Sequence, residues 1–567
     1  MKKIARRSAE YNSIKEMLTE QARLHGDSVI FSYRNKASDE EKVTVTLDCL
    51  LEDVRDLGTE LINMGAVGKH CAVIGKLTYG WIKVYLSMLS TGTVIVPIDR
   101  DWTAEEIATT VDFADCEYVF FDSDIESKIT PMMNGENAKI KGFYCLDSKS
   151  EQSSIAELAE HGRALVENGD TAFDDCEINV FDTAKIVFTS GTTGKGKGVM
   201  LSYKNLLSDL ACAVEYIGNS CGNKSIAVLP PHHTYGSTIN ILGHICLPAE
   251  LYLSSGLRYI VKELKAEKPT HLVLVPLYLE TFYRKIWATV KDRGMEKMIR
   301  NMMKISDAMR TKGIDVRRKM FSSILSSFGG NLHTVISGGA PISEDILDAF
   351  DSWGINVLNG YGITECSPLI SVNTEEHKNK GSVGVSIRVD DVYIAEKNED
   401  GEGEIRVKGP NVMKGYYKNP EATAEAFDEN GYFRTGDYGK MDENRVIYIT
   451  GRLKNLIILA NGKNVYPEEI ETALCAVPGV LEIIVYEGES SKGPENNVIV
   501  AEIFPDKEYF EKNGIEDVKS YMKDAVDKYN RTATPYKKIG LIKIRNEEFP
   551  KNTLRKIQRF KLNKRID

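Results

Sequence analysis

The feature that most constrains this sequence is a stretch at residues 185–200, where an apolar strand pattern runs into a loop of glycines, hydroxyls and lysines. Its first part is apolar and β-branched, which predicts a buried strand. Residues 189–198 then contain four glycines, four hydroxyl side chains and two lysines. Successive backbone N–H groups in such a loop surround an anion well, and the side chains add charge-assisted hydrogen bonds. The stretch therefore predicts a phosphate-binding loop behind a strand, with a plain glycine-rich turn as the alternative.

The loop fits most of the P-loop pattern G-x-x-x-x-G-K-[ST], from Gly191 at the first position to Lys197 at the seventh. The eighth position holds Gly198, so the hydroxyl that would bind Mg²⁺ is missing. This departure weakens the prediction of an ordinary P-loop ATPase or kinase, which stays open as a function of a different class. A nucleotide-binding regulator without catalysis is a further alternative.

Composition indicates a globular protein of more than one domain. A chain of 567 residues is too long for one hydrophobic core, and 42% hydrophobic with 27% charged residues is ordinary for a globular chain. The net charge of −10 argues against general nucleic-acid binding. The ten cysteines contain no C-x-x-C pair, which favours reduced thiols. With no secretory signal pattern and no uninterrupted apolar span, we expect a cytoplasmic protein.

Strand and helix patterns alternate along the first 340 residues, which predicts an α/β fold with parallel sheets and crossover helices. Residues 11–65 are predicted to be helical, with a strand near 43–47. Helical patterns follow at 81–90 and 104–113. The predicted strands are 71–74, 93–98, 118–121, 225–229, 271–275 and 332–336.

The predicted pattern of secondary structure changes twice after residue 385. Short β runs with tight turns first predict a small β unit. From residue 452 a new α+β pattern begins, and the 116 residues that remain are enough for a small domain. We therefore expect a large N-terminal domain, 1–451, and a small, mobile α+β C-terminal domain, 452–567.

Residues 281–320 carry an unusual local charge. They contain twelve Lys and Arg against four acids, in a chain that is acidic overall. Methionines and isoleucines recur among them at roughly helical spacing. A basic amphipathic helix of this kind binds an anionic membrane surface, which would be a peripheral contact. The alternative, which we favour, is a solvated helical face packed on its own domain.

The run Thr189-Ser-Gly-Thr-Thr-Gly-x-x-Lys197-Gly resembles the phosphate loop of the adenylate-forming superfamily, which includes acyl-CoA synthetases, luciferases and peptide-synthetase adenylation domains. Gly196 departs from that pattern, where proline is usual. Further stretches fall in the order and at the spacing of the family, so the resemblance covers essentially the whole chain. They are residues 230–236, 337–341, 359–365, 435–437, 451–454, 461–465 and 549–557.

The resemblance implies roles for individual residues. His233 takes the place of a residue that lines the acyl pocket, and the absence of an Asp in 230–236 argues against an amino-acid substrate. Thr189 and Lys197 are implied to act on the phosphates, and Glu365 to bind Mg²⁺, an ion that needs few protein carboxylates when phosphates are present. Asp437 matches the ribose ligand and Lys454 the hinge of the C-terminal domain. The other implied contacts are Ser190, Gly191, Thr192, Thr193, Gly194, Gly339, Ala340, Pro341, Asn359, Gly360, Tyr361, Gly362, Thr364, Arg452 and Gly462.

The last of these stretches resembles the segment of the family that carries the catalytic lysine. Lys556 stands six residues beyond Pro550, as the family pattern requires. Arg555 replaces the usual glycine, which is typical of relatives that resemble long-chain fatty acid ligases. A solvated basic tail is the alternative, since seven Lys and Arg fall between 551 and 565.

The function implied by the resemblance is an ATP- and Mg²⁺-dependent acyl-CoA synthetase. It would activate a small-molecule carboxylic acid, expected to be a fatty acid, as acyl-AMP, and then transfer the acyl group to coenzyme A. An acyl carrier protein ligase with the same first half-reaction is the nearest alternative. In both cases Lys556 is expected to swing out and the Gly462 loop to swing in between the two half-reactions.

Overall fold

The computed structural model describes residues 11–135, 139–147, 149–189, 196–459, 464–493, 496–551 and 557–566. Its strands and helices confirm the α/β fold class. The strands up to residue 386 are β1 Val29–Tyr33, β2 Val43–Thr46, β3 His70–Ile74, β4 Val94–Ile98, β5 Cys116–Phe121, β6 Gly142–Cys145, β7 Thr183–Thr189, β8 Lys197–Ser202, β9 Lys224–Ala227, β10 Glu250–Leu253, β11 His271–Leu274, β12 Thr334–Gly338, β13 Asn356–Gly362, β14 Leu369–Val372 and β15 Val385–Ser386.

The later strands belong mainly to antiparallel pairs. They are β16 Asp391–Ala395, β17 Gly403–Lys408, β18 Gly415–Tyr416, β19 Phe433–Met441, β20 Ile447–Arg452, β21 Ile457–Ile458, β22 Asn464–Val465, β23 Val480–Gly488, β24 Val498–Pro505 and β25 Leu541–Ile544. The predicted β unit after residue 385 is confirmed as a sheet with the order β16-β17-β19-β20.

Most of the helices connect strands or cover the faces of the sheets. They are α1 Ile14–His25, α2 Leu47–Asn63, α3 Tyr79–Thr91, α4 Ala104–Phe113, α5 Glu126–Met133, α6 Ile155–Glu167, α7 Ala172–Asp175, α8 Tyr203–Ile217, α9 Gly243–Cys246, α10 Ile260–Glu267, α11 Pro276–Asp292, α12 Glu296–Arg310, α13 Arg317–Met320, α14 Ser322–Ser326, α15 Glu344–Ser352, α16 Pro420–Ala426, α17 Pro467–Cys475, α18 Lys507–Asn513 and α19 Val518–Thr532. A π-helix, Tyr235–Leu242, follows β9.

The largest sheet has the strand order β18-β8-β7-β4-β3-β5-β6. Its middle strands run parallel, as the alternation of strand and helix predicts, and β8 turns back antiparallel to β7. Two further sheets, β2-β1-β10-β9 and β11-β12-β13-β14-β15, bring more parallel strands to the same region. Trp81, Tyr85 and Phe31 are fully buried in the largest hydrophobic cluster, each contributing about 2–3 kcal/mol through burial.

Two predictions about helices are wrong. Residues 11–65 were predicted to be helical with one strand, but they contain a second strand. Val29–Tyr33 forms β1, which pairs with β10 at Phe31 and Leu251. That partner lies more than 200 residues away in the chain, so local patterning does not reveal it. Residues 281–320 do not form one helix, since Gly294 interrupts the pattern at a positive φ of 65° between α11 and α12.

The chain after residue 456 has a hydrophobic cluster of its own. Residues of β23, β24, α17 and α19 pack together in it, including Ile470, Val485, Ala501 and Met522. The strands form the sheet β23-β24-β25, as the α+β pattern predicts. None of the helices in the described residues combines the length and apolar character needed to cross a bilayer.

A pair of neutral histidines joins α9 to β11 in the core. His244 Nδ1 donates to Asn240 O at 2.5 Å, which leaves its Nε2 as an acceptor, and His271 Nε2 stands 3.0 Å from it. His271 Nδ1 accepts from Gly222 N at 3.2 Å, so its Nε2 carries the proton. Burial lowers the pKa of His244 to about 4, and burial together with His244 lowers the pKa of His271 well below its usual value. Protonating either ring would leave two donors facing each other.

This pair predicts a core that loses stability in acid. The folded-state pKa of His244 lies below the value of about 6.5 for an unfolded histidine, so the unfolded chain binds more protons as the pH falls. The contribution is complete above about pH 6.5 and is lost progressively toward pH 4. We expect His244 alone to remove about 2 kcal/mol of unfolding free energy between pH 6.5 and pH 5.

Thermal unfolding between about pH 8 and pH 5 measures the effect. His244→Gln should flatten the dependence of Tm on pH, although it lowers Tm at neutral pH. The control His377→Gln changes an exposed histidine and should leave the slope of the wild type. Equal slopes in all three proteins would contradict the neutral pair.

Candidate active site

A cleft of about 1620 Å³ opens along the carboxyl ends of the parallel strands. The segments that follow β3, β4 and β5 line one side, and those that follow β9 and β10 line another. Thr189, at the end of β7, and Thr364, after β13, also face it. Residues 548, 549, 551, 558 and 561 of the C-terminal part close the remaining side. Carboxyl ends of parallel strands are where α/β proteins bind ligands.

The predicted phosphate loop connects two antiparallel strands. Thr189 ends β7 and stands opposite Lys197, which begins β8. Thr189 Oγ1 donates to Lys197 O at 3.5 Å, and the Lys197 side chain is exposed. Ser190, Gly191, Thr192, Thr193 and Gly194 lie outside the described residues. In a P-loop a helix follows the loop, whereas here a strand follows it, which disfavours the P-loop alternative.

Tyr416 brings the predicted metal ligand to the predicted phosphate lysine. Glu365 lies in a 3-10 turn, Thr364–Cys366, directly after β13. The Tyr416 hydroxyl donates to Glu365 Oε1 at 3.0 Å, and Lys197 Nζ stands 4.6 Å from the centre of the Tyr416 ring. Burial and the Glu365 carboxylate raise the pKa of Tyr416, so its hydroxyl remains a donor. Sequence reasoning missed Tyr416, because only the pairing of β18 with β8 carries it into the site.

Asp437, the predicted ribose ligand, is held between two strands and a tyrosine. Arg452 Nε donates to Asp437 Oδ1 at 2.8 Å across the β19–β20 pair, and the Tyr361 hydroxyl donates to Oδ2 at 2.8 Å. The side chain of Asp437 is 3% exposed. Asp437 raises the pKa of Arg452, and burial followed by Asp437 raises the pKa of Tyr361 well above its usual value. Each carboxylate oxygen keeps a lone pair, so a diol still has acceptors here.

The predicted adenine segment follows β12 at the surface. Gly339, Ala340 and Pro341 are exposed, and Gly339 has a φ of 88° that favours glycine. A proline after a strand is also typical of the first turn of a helix, but Pro341 does not lie in one, because α15 begins only at Glu344, after the extended Ser343. Beside it on β13 lie Asn359, which is buried, and the half-buried Gly360 and Gly362. A Cβ on Gly362 would stand 2.0 Å from Pro368 O, so only glycine fits.

Two neutral histidines line the cleft after β9. The rings of His232 and His233 lie 4.2 Å apart, and His232 Nε2 stands 3.6 Å from Asp99 Oδ2. Burial lowers the pKa of His232 to about 3. Burial, followed by His232, lowers the pKa of His233 well below its usual value. His233 is therefore uncharged at neutral pH, which suits a wall against an apolar acyl group.

The remaining predicted residues belong to the C-terminal part. Lys454 is exposed in the 3-10 turn Leu453–Asn455, directly after β20. Gly462 and Lys556 lie outside the described residues. Lys551 and Ile557 form an isolated antiparallel bridge on either side of Lys556, and Lys551 lines the cleft. Lys551 itself is engaged by Glu482 and Glu548.

The C-terminal part also touches α11. Lys291 Nζ donates to Asn513 Oδ1 at 2.8 Å, and Lys512 forms an ion pair with Asp292. Both charged side chains of this pair are about half exposed, at 44% and 53%. These contacts join the end of α11 to the end of α18 across the two parts of the chain.

The donor set near Glu365 fits a cation that takes most of its ligands from a substrate. In the part of the chain that the structure describes, His, Cys, Asp and Glu side chains do not gather into a group of three or more suited to a metal. Glu365 presents a half-buried carboxylate beside Thr364, which lines the cleft. Mg²⁺ in proteins is commonly bound by one or two carboxylates together with phosphate oxygens.

Comparison with known proteins adds independent findings. The family model described as AMP-binding enzyme matches residues 18–417. Long-chain-fatty-acid–CoA ligase 5 of Mus musculus is 32% identical over 477 residues, which cover 78% of this chain and 69% of the mouse protein. A chloroplastic long-chain-fatty-acid–[acyl-carrier-protein] ligase of Arabidopsis thaliana, AEE15, is 26% identical over 596 residues, or 92% and 80% of the two chains. ATP-bound MatB from Rhodopseudomonas palustris has the same fold, with a TM-score of 0.72 at 22% identity and coverage of 96% and 97%.

The buried carboxylate of Asp437 predicts a measurable loss of stability when a donor is removed. Tyr361→Phe deletes one hydrogen bond to a charged group, and such a bond contributes about 1.5–3 kcal/mol. We expect the unfolding free energy from urea denaturation to fall by about 2 kcal/mol.

The matched control is Tyr448→Phe, whose hydroxyl accepts only a 3.2 Å bond from Asn379 Nδ2 at an exposed site among the bonds described. It should cost no more than about 0.5 kcal/mol. If the two tyrosine variants lose the same stability, the hydroxyl of Tyr361 does not support Asp437.

Proposed function

Because the chain belongs to the AMP-binding enzyme family, we propose that it is an AMP-forming acid–thiol ligase. It activates a carboxylic acid with ATP as an acyl-adenylate, releases pyrophosphate and transfers the acyl group to coenzyme A. A fatty acid is the proposed substrate, because the mouse relative is named a long-chain-fatty-acid–CoA ligase and Arg555, in residues 549–557, is typical of relatives that resemble such ligases. One observation carries the proposal: Glu365 and Lys197 both contact Tyr416, beside the strands that flank the phosphate loop.

The first half-reaction follows from the charges of the site. A carboxylate is a poor acyl donor, and attack on the α-phosphate of ATP gives it AMP as a good leaving group. Negative charge then spreads over phosphate oxygens, so positioning and electrostatic stabilisation carry the catalysis. Lys197, Thr189 and Lys556 supply positive charge and donors to those oxygens. Glu365 would hold Mg²⁺, which neutralises phosphate charge when it is bound.

The other residues hold the nucleotide and the acid without reacting. Asp437 accepts from the ribose hydroxyls, while Tyr361 and Arg452 keep its carboxylate charged and oriented. The exposed segment 339–341 offers backbone with little side-chain bulk to the adenine ring. His233, neutral at the cleft wall, shields the reacting carboxylate from water.

The second half-reaction needs a different orientation of the C-terminal domain. We place the boundary between the domains at residues 451 and 452, with Lys454 as the hinge. Turning about this point moves Lys556 out of the cleft and brings the loop of Gly462 toward the acyl-adenylate, where the thiol of coenzyme A attacks. An acyl carrier protein is the second candidate acceptor, because the Arabidopsis relative is named for it.

Two assays with purified protein test the reaction. Chromatography of the nucleotides, with fatty acids of increasing length, should give AMP that depends on the acid; ADP would overturn the proposal in favour of a kinase or ATPase. Thioester formation is then compared with free coenzyme A and with holo-acyl carrier protein. Strict dependence on the carrier protein would contradict coenzyme A as the acceptor.

Lys556→Ala separates the two half-reactions. We expect acid-dependent pyrophosphate exchange to fall by about 10²-fold or more, because one charge on the transition state is lost. Conversion of supplied acyl-adenylate to thioester should survive. Lys564→Ala, which changes an exposed lysine of the same tail, is the control and should keep both activities. Equal activities of the two variants would mean that Lys556 is only a tail charge.

We also propose that the protein, expected in the cytoplasm, contacts anionic membranes through α12 and the turn after it. Met295, Ile299, Met302 and Met303 pack against the protein's own core. Met298 and Ile305, seven residues apart on α12, are 47% and 54% exposed, and Ile314 is 51% exposed. Lys297 and Lys304 flank the two exposed residues of α12 and are themselves exposed. Exposed apolar side chains beside lysines suit the interface of an anionic bilayer.

Sedimentation with anionic vesicles tests this contact. The wild type should bind at low salt, and Lys297→Glu with Lys304→Glu should weaken binding by about thirtyfold or more, at about 1 kcal/mol for each lysine lost near the surface. The control is Lys519→Glu with Lys523→Glu, two exposed lysines of α19, which should bind like the wild type. Absence of binding at low salt would leave α12 as a solvated face.

A further inference from the structure

A lysine is buried in the core directly behind the phosphate loop. Lys185 lies on β7, four residues before Thr189, and is fully buried. The side chains that face it include Tyr85 of α3, whose ring centre is 5.9 Å from Lys185 Nζ, and Asp209 of α8, which is fully buried and acts on it electrostatically. The reaction proposed above has no role for this amine.

Lys185 donates to the π-helix that follows the cleft histidines. Its Nζ stands 3.0 Å from Ser237 Oγ and 3.1 Å from Thr238 Oγ1, both on Tyr235–Leu242. Ser237 Oγ in turn donates to His233 O at 2.9 Å, and the Ser237 N–H donates to the same carbonyl at 2.9 Å. A continuous chain of hydrogen bonds therefore runs from β7 to the backbone of His233.

Burying the amine of Lys185 in the core costs free energy, so its presence there needs an explanation. A buried amine loses its hydration and needs good partners, whereas a methionine would fill the same volume without that cost. A π-helix is rare and is frequently found at functional sites. Burial lowers the pKa of Lys185 to about 7, and burial raises the pKa of Asp209 well above its usual value. Packing alone does not require these groups.

We propose that Lys185 is a positioning residue for His233, acting through Ser237 to fix the backbone from which the His233 imidazole faces the acid substrate. The proposal rests on the acid-activating function proposed above. Thr238 Oγ1 also accepts a hydrogen bond from the Lys185 amine, but the hydrogen bonds that join Lys185 to His233 run through Ser237. Removing the link should therefore act on the acid and leave ATP binding alone.

Steady-state kinetics of acyl-adenylate formation test the link. Lys185→Met and Ser237→Ala should each raise the KM for the acid by about tenfold, the effect of one well-made hydrogen bond, with the KM for ATP unchanged. The double variant should be no worse than either single one, because both changes break the same chain of hydrogen bonds. Ser237→Thr, which keeps a hydroxyl, should restore the wild-type value.

Thr238→Val is the matched control, since it removes the other hydrogen bond of the same amine and should leave the KM for the acid unchanged. Effects of Lys185→Met and Ser237→Ala that add, equal changes in both KM values, or a Thr238→Val variant that behaves like Ser237→Ala would overturn the proposal. If Lys185→Met does not fold, the comparison of Ser237→Ala with Ser237→Thr decides alone.

A spectroscopic readout separates this inference from the proposed function. With [15N]histidine-labelled protein, the imidazole signals of His233 are assigned by their loss in His233→Gln. They should shift in Ser237→Ala and stay in place in Thr238→Val, whatever reaction the protein performs. Unshifted signals in Ser237→Ala would overturn the positioning role, whereas shifted signals in a protein that forms no acyl-adenylate would overturn only the proposed function.

Discussion

The antiparallel pairing of β7 with β8 is the constraint on which the site depends. It sets Thr189 opposite Lys197 and so fixes both ends of the phosphate loop. The same β8 pairs on its other edge with β18, whose Tyr416 donates to Glu365. This hydrogen-bonded ladder thus brings Tyr416, and through it Glu365, to β8, although both residues lie more than 150 positions further along the chain. A strand in place of the P-loop's helix makes this possible, because a helix offers no edge for a further strand.

Much of this architecture could be predicted from local patterns. The strands β3, β4 and β5 and the helices α3 and α4 stand where apolar runs and helical spacing predicted them. The C-terminal α+β pattern was equally clear, because its strands and helices are long and its hydrophobic periods regular. Such elements are specified by neighbours in the sequence, which a single chain displays.

The parts that sequence reasoning missed depend on distant partners. Val29–Tyr33 forms a strand because it pairs with β10. Tyr416 reaches the site through a two-residue strand, β18, which is too short to be predicted from a sequence pattern. Tyr361, which the resemblance implied only as a contact of the site, donates its hydroxyl to Asp437, a partner 76 residues later. Lys185 was read as the start of an apolar run, and its partners lie on a π-helix 50 residues on. Side-chain partnerships of this kind are set by tertiary packing and leave no local signal.

The ion pair between Lys512 and Asp292 bears on how easily the two parts of the chain could change their relative orientation. Its charges are about half exposed, and exposed pairs of this kind contribute about 0.2–1 kcal/mol. A contact worth 1 kcal/mol changes the ratio of two populations by only about fivefold. This ion pair alone would therefore offer little resistance to the rotation that we propose for the C-terminal domain. The weakness of this contact is what an enzyme needs if one domain is to serve two half-reactions in turn.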